Sequence, residues 1–244
     1  MVQELITGAL ELGIRLAPEQ IAAFRVYQET LTAWNQRFNL TAITDERGIQ
    51  IRHFLDSLSC LQAMRGEGGL SGRRVIDVGT GAGFPGLPLK ILCPAMQLTL
   101  LEATRKKTLF LQHLVQTLKL ADVTIIHGRA EELGQDPQHR ESYDWALARA
   151  VADMPVLVEY LLPLVRLQGH VLAQKGEGAP AEVHRATWAI HQLGGEVRRL
   201  IPINLRGLAE TRYLVVIDKV AATPPRYPRR TGMPGKRPLL APDM

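Results

Sequence analysis

A glycine-rich segment between two apolar runs is the part of the sequence whose residue types and spacing most directly indicate chemistry. VIDVGTGAGFPGLPLKI, residues 75–91, places Gly79, Gly81, Gly83 and Gly86 within eight positions. Glycines between a strand and a helix let the backbone bend sharply and let a ligand approach it closely. The segment therefore predicts a ligand-binding turn.

Three classes of ligand use such a turn. A phosphate-binding loop ends in Gly-Lys-Ser/Thr, whereas Lys90 is followed here by Ile91, so the pattern supports a phosphate only weakly. The dinucleotide pattern GxGxxG nearly fits, but its third glycine falls one place early, at Gly83, and the bulky Phe84 stands where glycine is expected. The third class is S-adenosylmethionine (AdoMet), which has no phosphate and needs an open turn with acids placed for its hydroxyls and amino group.

Acidic residues stand beside this turn and at the end of the next predicted strand. Glu102 ends that strand, about 20 residues after the loop, which is the spacing of a ribose-binding acid. Because the carboxyl ends of parallel strands face the ligand crevice, a carboxylate there can accept hydrogen bonds from both ribose hydroxyls. The ordered set of Asp77, Gly79, Gly81, Gly83 and Glu102 favours an adenosine-containing ligand but does not separate AdoMet from NAD. Taken alone, Glu102 can also be an ordinary strand-end acid.

The elements that must position these residues change character along the chain. Residues 1 to about 64 have helical periodicity, and from Arg73 short apolar strands alternate with helices, which predicts a parallel sheet covered on both faces. EVRRLIPI and TRYLVVIDKV predict an antiparallel pair that finishes the sheet. The sequence thus predicts an α/β fold in three parts: a helical extension at 1–66, a ligand-binding domain at 67–222, and a basic, Pro-rich tail at 223–244 that is extended rather than packed.

The net charge is +5, and the stretch of the tail from Pro224 to Leu240 carries five cations and no acid. When the five tail cations are removed from the 29 Lys and Arg, the remaining 24 balance the 24 Asp and Glu. A basic tail on a neutral body indicates a polyanionic partner, with a solvated tail as the alternative. The five cations are Arg226, Arg229, Arg230, Lys236 and Arg237.

The two cysteines, Cys60 and Cys93, lack the spacing of a zinc site or a redox motif, so we expect no metal and a reduced, cytoplasmic setting. No uninterrupted apolar run is long enough to span a bilayer. No basic segment precedes the apolar residues at the N-terminus, so we also expect no signal peptide and no membrane partner.

Several motifs occur in the order WNQRFNLTAI, RHFLDSL, DVGTGAGFPGLPLKI, LLEATRKKTLFLQ, GRAEEL and ARAVA. Together they closely resemble the bacterial RsmG family, formerly GidB, of ribosomal RNA guanine-N7 methyltransferases. The resemblance covers roughly residues 30–220, and the tail RYPRRTGMPGKRPL resembles that of the longer members. It implies a Rossmann-like class I AdoMet-dependent methyltransferase sheet, mostly parallel with an antiparallel final strand. It also implies methyl transfer from AdoMet to N7 of a specific guanosine in 16S ribosomal RNA.

The resemblance further implies which residues contact the cofactor: Gly79 and Phe84 in the glycine loop, Glu102, Ala103 and Thr104 after the second strand, Ala130 and Glu131 after the third, and Arg149 at the end of the fourth. Gly79 would leave room for the methionine part, and Phe84 would wall the pocket. Glu102 would hold the ribose, while Ala130 and Glu131 would present backbone groups and an acid to adenine.

Arg149 would pair either with the methionine carboxylate or with an RNA phosphate, and both roles stay open. For RNA, the cations at 105–107 oppose the dipole of the helix that they begin, which indicates a phosphate contact or a solvated helix start. Arg52 and His53 are weaker candidates, and His53 could instead satisfy a hydrogen bond in the core. The tail cations are the stronger candidates because they are numerous and unopposed by acids. We expect a monomer.

The implied chemistry needs no catalytic acid or base, and we predict none. Guanine N7 carries a lone pair and no proton, so it can attack the methyl group directly. The sequence also lacks the Asn/Asp-Pro-Pro-aromatic motif of amine methylation and the Pro-Cys pair of pyrimidine methylation. Catalysis would then rest on positioning and electrostatics. Two other functions are weighed against this one: an NAD-linked oxidoreductase, disfavoured by the glycine spacing, and a non-enzymatic RNA-binding protein, disfavoured by the intact Glu102, Arg149 and glycine loop.

Overall fold

The computed structural model describes residues 2–64 and 69–241, and a single mixed sheet lies at its centre. The strands are β1 Arg74–Val78, β2 Gln97–Glu102, β3 Val123–His127, β4 Tyr143–Arg149, β5 Val165–Lys175, β6 Gly195–Ile203 and β7 Arg212–Lys219. Within the described residues the sheet has seven strands in the order β3-β2-β1-β4-β5-β7-β6. The pairs from β3 to β5 are parallel, while β7 runs antiparallel to both β5 and β6. This confirms the predicted mostly parallel sheet with an antiparallel final strand.

Helices fill the N-terminal part and the connections between strands. The N-terminal helices are α1 Gln3–Glu11, α2 Pro18–Phe38, α3 Glu46–Gly48, α4 Asp56–Ser59 and α5 Leu61–Met64, with a π-helical segment, Ile49–Leu55, between α3 and α4. The others are α6 Gly86–Leu92, α7 Arg105–Thr117, α8 Ala130–Leu133, α9 Met154–Leu161, α10 Ala179–Gln192 and α11 Met233–Lys236. The helical N-terminus is as predicted. The predicted boundary between 66 and 67 falls on residues outside the described ranges.

Two apolar cores lie on the two faces of the sheet, because successive strand residues point to opposite sides. On β1, Val75 belongs to one core and its neighbour Ile76 to the other. The first core also contains Phe24 of α2 and Phe54 of the π-helical segment, so the N-terminal helices and the sheet share one continuous apolar interior. This packing holds the N-terminal helices firmly against the sheet.

The prediction that the tail is extended rather than packed is wrong. Tyr227 and Leu239 of the tail are buried in the second core. Arg229 donates to Glu159 of α9 from its backbone N, at 2.8 Å, and from its guanidinium Nη2, at 2.7 Å. Proline has no backbone N–H, so the tail has few donors for its own carbonyls. These carbonyls accept hydrogen bonds from side chains of the body, such as that of Arg140. We call residues 223–239 the strap.

No helix within residues 2–64 and 69–241 is both long and apolar enough to cross a membrane. In the same ranges, no group of three or more His, Cys, Asp or Glu residues has an arrangement that could hold a metal ion.

Candidate functional site

The carboxylate of Glu102 is held between two backbone amides at the carboxyl edge of the sheet. Glu102 ends β2, and the glycine loop leaves the adjacent β1, so both reach the same edge. The Glu102 Oε2 accepts from the N–H of Gly81 at 2.9 Å, and Oε1 accepts from the N–H of Thr104 at 2.8 Å. Each carboxylate oxygen has a further lone pair. The arrangement fixes an acceptor pair whose spare lone pairs can receive two neighbouring hydroxyl groups.

The glycine loop is open beside this carboxylate. Gly79 and Gly81 both have positive φ, +67° and +63°. A Cβ at Gly81 would meet nothing within 4 Å, whereas a Cβ at Gly79 would lie 2.8 Å from Cγ2 of Val151. The N–H groups of Gly79 and Thr80 both donate to the carbonyl of Leu101, which ties the loop to β2. A ligand can therefore approach the backbone at Gly81, next to Glu102.

Asp77 joins the two ends of the glycine loop from a fully buried position on β1. Its Oδ2 accepts from the Thr80 hydroxyl at 2.6 Å and from the Gly86 N–H at 2.8 Å. Burial raises the pKa of Asp77 to about 6, and the hydrogen bonds from Thr80 and Gly86 oppose that rise. The other oxygen, Oδ1, has no hydrogen-bond partner among the described residues. A buried carboxylate oxygen of this kind is typical of a site that a ligand or water completes.

Phe84 connects the glycine loop to the N-terminal helices. Its ring stacks on Tyr27 of α2, with centroids 5.2 Å apart, and on His53 of the π-helical segment, at 4.4 Å. The Tyr27 hydroxyl donates to the carbonyl of Ala82 at 2.6 Å, which fixes the loop backbone to the same helix. The Phe84 side chain is buried, so the structure places it in the packing of the loop. Its contact with a cofactor stays a prediction.

Arg149, at the end of β4, lies over Phe84 and pairs with a buried acid. Its guanidinium carbon is 5.0 Å from the centroid of the Phe84 ring. Nη1 donates to Oδ2 of Asp56 at 2.8 Å and to the carbonyl of Arg52 at 3.1 Å. The charge of Arg149 is thus already balanced by Asp56. Whether it also meets a methionine carboxylate or an RNA phosphate stays open.

His53 is neutral in this arrangement. Burial, together with the nearby positive charge of Arg149, lowers the pKa of His53 to about 3. Its Nδ1 lies 3.2 Å from the donor Nη2 of Arg149, and its Nε2 lies 2.8 Å from the hydroxyl of Thr41. The neutral ring therefore accepts at Nδ1 and donates at Nε2. His53 satisfies hydrogen bonds in the core, one of the two roles considered from the sequence, and is not a phosphate-binding cation.

A cavity of about 320 Å³ adjoins Arg149 and His53. Its walls come from the π-helical segment, the ends of β4 and β5, and the start of β7; they are lined by Ile43, Arg52, His53, Asp56, Arg149, Ala150, Gln174, Lys175, Gly176 and Arg212. Three of the lining residues carry buried polar atoms that lack a partner among the described residues: Asp56 Oδ1, Gln174 Oε1 and Arg212 Nε. The cavity lining thus combines the cationic side chains of Arg52, Arg149, Lys175 and Arg212 with the carboxylate of Asp56 and the amide of Gln174.

The remaining predicted cofactor residues lie along the same edge. Ala103 and Thr104 follow Glu102 directly, and the carbonyl of Ala103 lies 3.0 Å from Nε2 of His127. Ala130 and Glu131 begin α8 and are buried. The Oε1 of Glu131 accepts from the N–H of Gly232 in the strap, at 2.9 Å, and the role of its carboxylate as an acid presented to adenine stays a prediction. A contact of this residue with a cofactor through its backbone stays a prediction.

The cations predicted for RNA divide into two groups. Arg226, Arg230, Lys236 and Arg237 of the strap are exposed, as are Arg105 and Lys106 at the start of α7. Arg229 is different, since its guanidinium is bound to the fully buried carboxylate of Glu159. These hydrogen bonds raise the pKa of Arg229. The prediction of five phosphate-binding cations in the tail is therefore wrong for Arg229, because an acid 70 residues earlier neutralises it.

Sequence reasoning missed Asp56 and Gln174. Asp56 lies in the apolar run FLDSL, where a buried acid between leucines indicates a paired charge, so a signal was present. Gln174 had no comparable signal. Its Nε2 donates to the carbonyl of Asp56 at 2.7 Å, a contact that depends on β5 lying next to β4.

Comparison with known proteins gives a consistent set of relatives. A family model described as GidB, rRNA small subunit methyltransferase G, matches residues 20–204. A protein named ribosomal RNA small subunit methyltransferase G from Roseiflexus castenholzii is 53% identical over 239 residues, which cover 98% of this chain and 100% of that one.

Solved structures with low sequence identity share the fold. TrmN from Thermus thermophilus has a TM-score of 0.52 at 19% identity, over 70% of this chain and 53% of that one. The [4+2]-cyclase SpnF has a TM-score of 0.53 at 14% identity, over 68% and 82%. Because a cyclase shares this fold, the fold alone does not decide the reaction.

Proposed function

Because the chain belongs to the rRNA small subunit methyltransferase G family, we propose that it transfers a methyl group from AdoMet to N7 of one guanosine in 16S ribosomal RNA. The observation that carries this proposal is the Glu102 carboxylate, fixed by the amides of Gly81 and Thr104 beside an open loop. Such a carboxylate suits the two ribose hydroxyls of an adenosine ligand. Membership of the family is the reason for choosing AdoMet over other adenosine-containing ligands.

The residues at the edge of the sheet fit AdoMet. Glu102 would accept from the ribose hydroxyls, and the space at Gly81 would admit the ligand close to the backbone. The free Oδ1 of Asp77 would accept from the amino group of the methionine part. AdoMet supplies an electrophilic methyl group on its sulfonium. The protein's task is then to hold that group in line with the attacking nitrogen.

The cavity beside Arg149 suits the target base. A guanine offers N–H donors at N1 and N2 and acceptors at O6 and N7. The lining residues Asp56 and Gln174 carry acceptors, and Gln174 and Arg212 carry donors, so the lining is complementary to such a mixed edge. The cations that line the cavity would also attract the flanking phosphates. A base in this cavity would have to leave its stack, as in other enzymes that modify bases.

The reaction needs no proton transfer by the protein. Guanine N7 has a lone pair and no hydrogen, so the new N–C bond forms as the S–C bond breaks and its electron pair stays on sulfur. His53, the histidine among the lining residues, has a pKa of about 3 and is neutral at neutral pH. Positioning of the two reactants and stabilisation of the moving charge are the contributions that remain.

Ribosomal RNA would be held by exposed cations outside the cofactor edge. No salt bridge found among the described residues joins an acid to the exposed cations of the strap, which are Arg226, Arg230, Lys236 and Arg237. Arg105 and Lys106 begin the helix that follows Glu102 and Thr104, so they lie near the proposed cofactor. Recognition by shape and by a displaced base suits a chain in which aromatic residues make up only 5%.

The test has two steps. Thermal unfolding is measured with AdoMet, NAD and ATP, and methyl transfer from labelled AdoMet is measured on small ribosomal subunits and on naked 16S RNA. The proposal expects stabilisation by AdoMet and label in 16S RNA from at least one substrate. Stabilisation by NAD alone would support an oxidoreductase, and RNA binding without methyl transfer would support a non-enzymatic RNA-binding protein.

A further inference from the structure

Residues 134–140, which follow α8, contact the strap at several separate points. Nε2 of Gln135 donates to the carbonyl of Pro228 at 2.8 Å, and Nη1 of Arg140 donates to the carbonyl of Tyr227 at 2.7 Å. The ring of Pro228 lies so close to Gly134 that a Cβ there would be 2.7 Å from Cγ of the proline. The strap is therefore packed onto the carboxyl end of α8.

The strap also reaches the amino end of α8, where the proposed adenine-binding residues lie. Glu131 is buried, and its Oε1 accepts from the N–H of Gly232 at 2.9 Å. The next acid, Glu132, lies 3.3 Å from the hydroxyl of Thr231. Since α8 has only one turn, it depends on such outside contacts for its position. The backbone of Ala130 and Glu131 is thus set in place from the side of the strap.

The Arg229–Glu159 pair anchors the strap between these contacts. Glu159 is fully buried, and its two oxygens accept from the backbone N and the guanidinium of Arg229. A buried carboxylate that loses its partner is strongly destabilising, whereas replacing both partners with apolar residues is often tolerated. Loss of Arg229 alone should therefore drive the strap off α9, so that water can reach Glu159.

We propose that the strap is a positioning element for the cofactor: Arg229 docks it, and the docked strap holds α8 through Glu131. This inference rests on the proposed function, since it assumes AdoMet at the edge formed by Glu102 and Ala130. Cofactor binding and strap docking are then coupled, and coupling between two equilibria is reciprocal. Bound AdoMet should stabilise the docked strap by the same factor by which docking raises the affinity for AdoMet.

The test compares Arg229→Met with the double variant Glu159→Met/Arg229→Met and with the control Arg230→Met, which changes an exposed strap cation. AdoMet affinity is measured by calorimetry without RNA, and docking by the rate of trypsin cleavage after Arg226. Arg229→Met should weaken AdoMet binding and speed cleavage, each by about tenfold, a typical coupling. The double variant should restore both, and Arg230→Met should change neither. In the wild type, saturating AdoMet should slow cleavage about tenfold, a measurement that needs no variant.

Faster cleavage of Arg229→Met with unchanged AdoMet affinity would overturn the proposal, as would wild-type cleavage that AdoMet does not slow. Unchanged cleavage of Arg229→Met would also overturn it, because Arg229 would not be the anchor. A folded wild type that does not bind AdoMet would overturn the proposed function itself, which is a different result from binding without coupling.

Discussion

The N–H of Gly81 and the carboxylate of Glu102 are 2.9 Å apart, and this hydrogen bond joins the loop after β1 to the end of β2 across 21 residues of sequence. The second oxygen of the same carboxylate accepts from Thr104. Two backbone amides thus orient one acid before any ligand is present. Preorganised polar groups of this kind lower the cost of binding, because fewer groups must be ordered when the ligand arrives.

Removal of the Glu102 carboxylate should weaken AdoMet binding. Hydrogen bonds to a charged group contribute about 1.5–3 kcal/mol, so Glu102→Ala should raise the AdoMet Kd by about 10- to 100-fold, with the fold retained. Glu29→Ala, which removes an exposed acid of α2, is the matched control. Calorimetry with AdoMet measures both. An unchanged Kd for Glu102→Ala would remove this residue from the site.

Asp77→Asn should separate stability from cofactor binding. Burial raises the pKa of Asp77 to about 6 in the folded protein, above its ordinary value of 3.8, so the folded state binds more protons than the unfolded state between these values. Wild-type stability therefore falls as pH rises from about 4 to about 6, and the contribution is then constant. The asparagine cannot titrate. As pH rises through this window, the free energy of unfolding of the wild type should therefore fall relative to that of Asp77→Asn, by at most about 3 kcal/mol.

The same substitution should weaken AdoMet binding at pH 7.5, because an amide hydrogen could replace the free acceptor Oδ1. Urea unfolding at pH 4.5 and 7.5 and calorimetry at pH 7.5 measure the two effects. A pH-independent difference in stability would show that Asp77 titrates normally. Undiminished affinity would show that Oδ1 does not meet the ligand.

The Arg149–Asp56 pair should be strongly coupled in stability. Both side chains are largely buried, so Arg149→Met leaves Asp56 without its ion-pair partner and should lower the free energy of unfolding by about 3–5 kcal/mol. Adding Asp56→Leu should recover part of that loss, because the second substitution removes the unpaired charge. Urea unfolding of the two single variants and the double variant measures the coupling. Additive losses would contradict it.

The exposed strap cations should account for part of the salt dependence of RNA binding. In Arg226→Ala/Arg230→Ala, the slope of log K against log salt should become flatter by about 1.4, since each phosphate contact on single-stranded RNA contributes about 0.7. AdoMet affinity should not change, because Arg229 still docks the strap. The control is Arg15→Ala/Arg25→Ala, two exposed arginines of the N-terminal region. Equal slopes for the strap variant and the wild type would show that these two cations do not contact RNA.

The sheet and its acidic edge were predictable because they depend on local patterns. Short apolar strands, the glycine loop and Glu102 follow each other at spacings that physical rules connect, so the sequence placed Asp77 and Glu102 at the ends of adjacent strands. Their hydrogen bonds to Gly86 and Gly81 are consistent with that placement. The antiparallel pair β6–β7 was likewise visible as two alternating apolar segments.

Contacts between distant segments could not be predicted from one sequence. Arg229 looked like a free cation because its partner Glu159 lies 70 residues away in the sequence, on helix α9. Arg149 and Asp56, 93 residues apart, meet only because the N-terminal helices cover the sheet. Over so short a run, the π-helical segment Ile49–Leu55 has the same apolar periodicity as an α-helix, so the sequence did not distinguish the two helix types.

Mapping of the transferred methyl group tests the central claim most directly. Small ribosomal subunits, partial assemblies and naked 16S RNA are incubated with the protein and labelled AdoMet, and the RNA is then cleaved chemically at N7-methylguanosine. We expect label at one guanosine, cleavage at that nucleotide, and loss of both with Glu102→Ala at limiting AdoMet. Label at many positions, or at one position that resists N7-specific cleavage, would contradict transfer to N7 of a single guanosine.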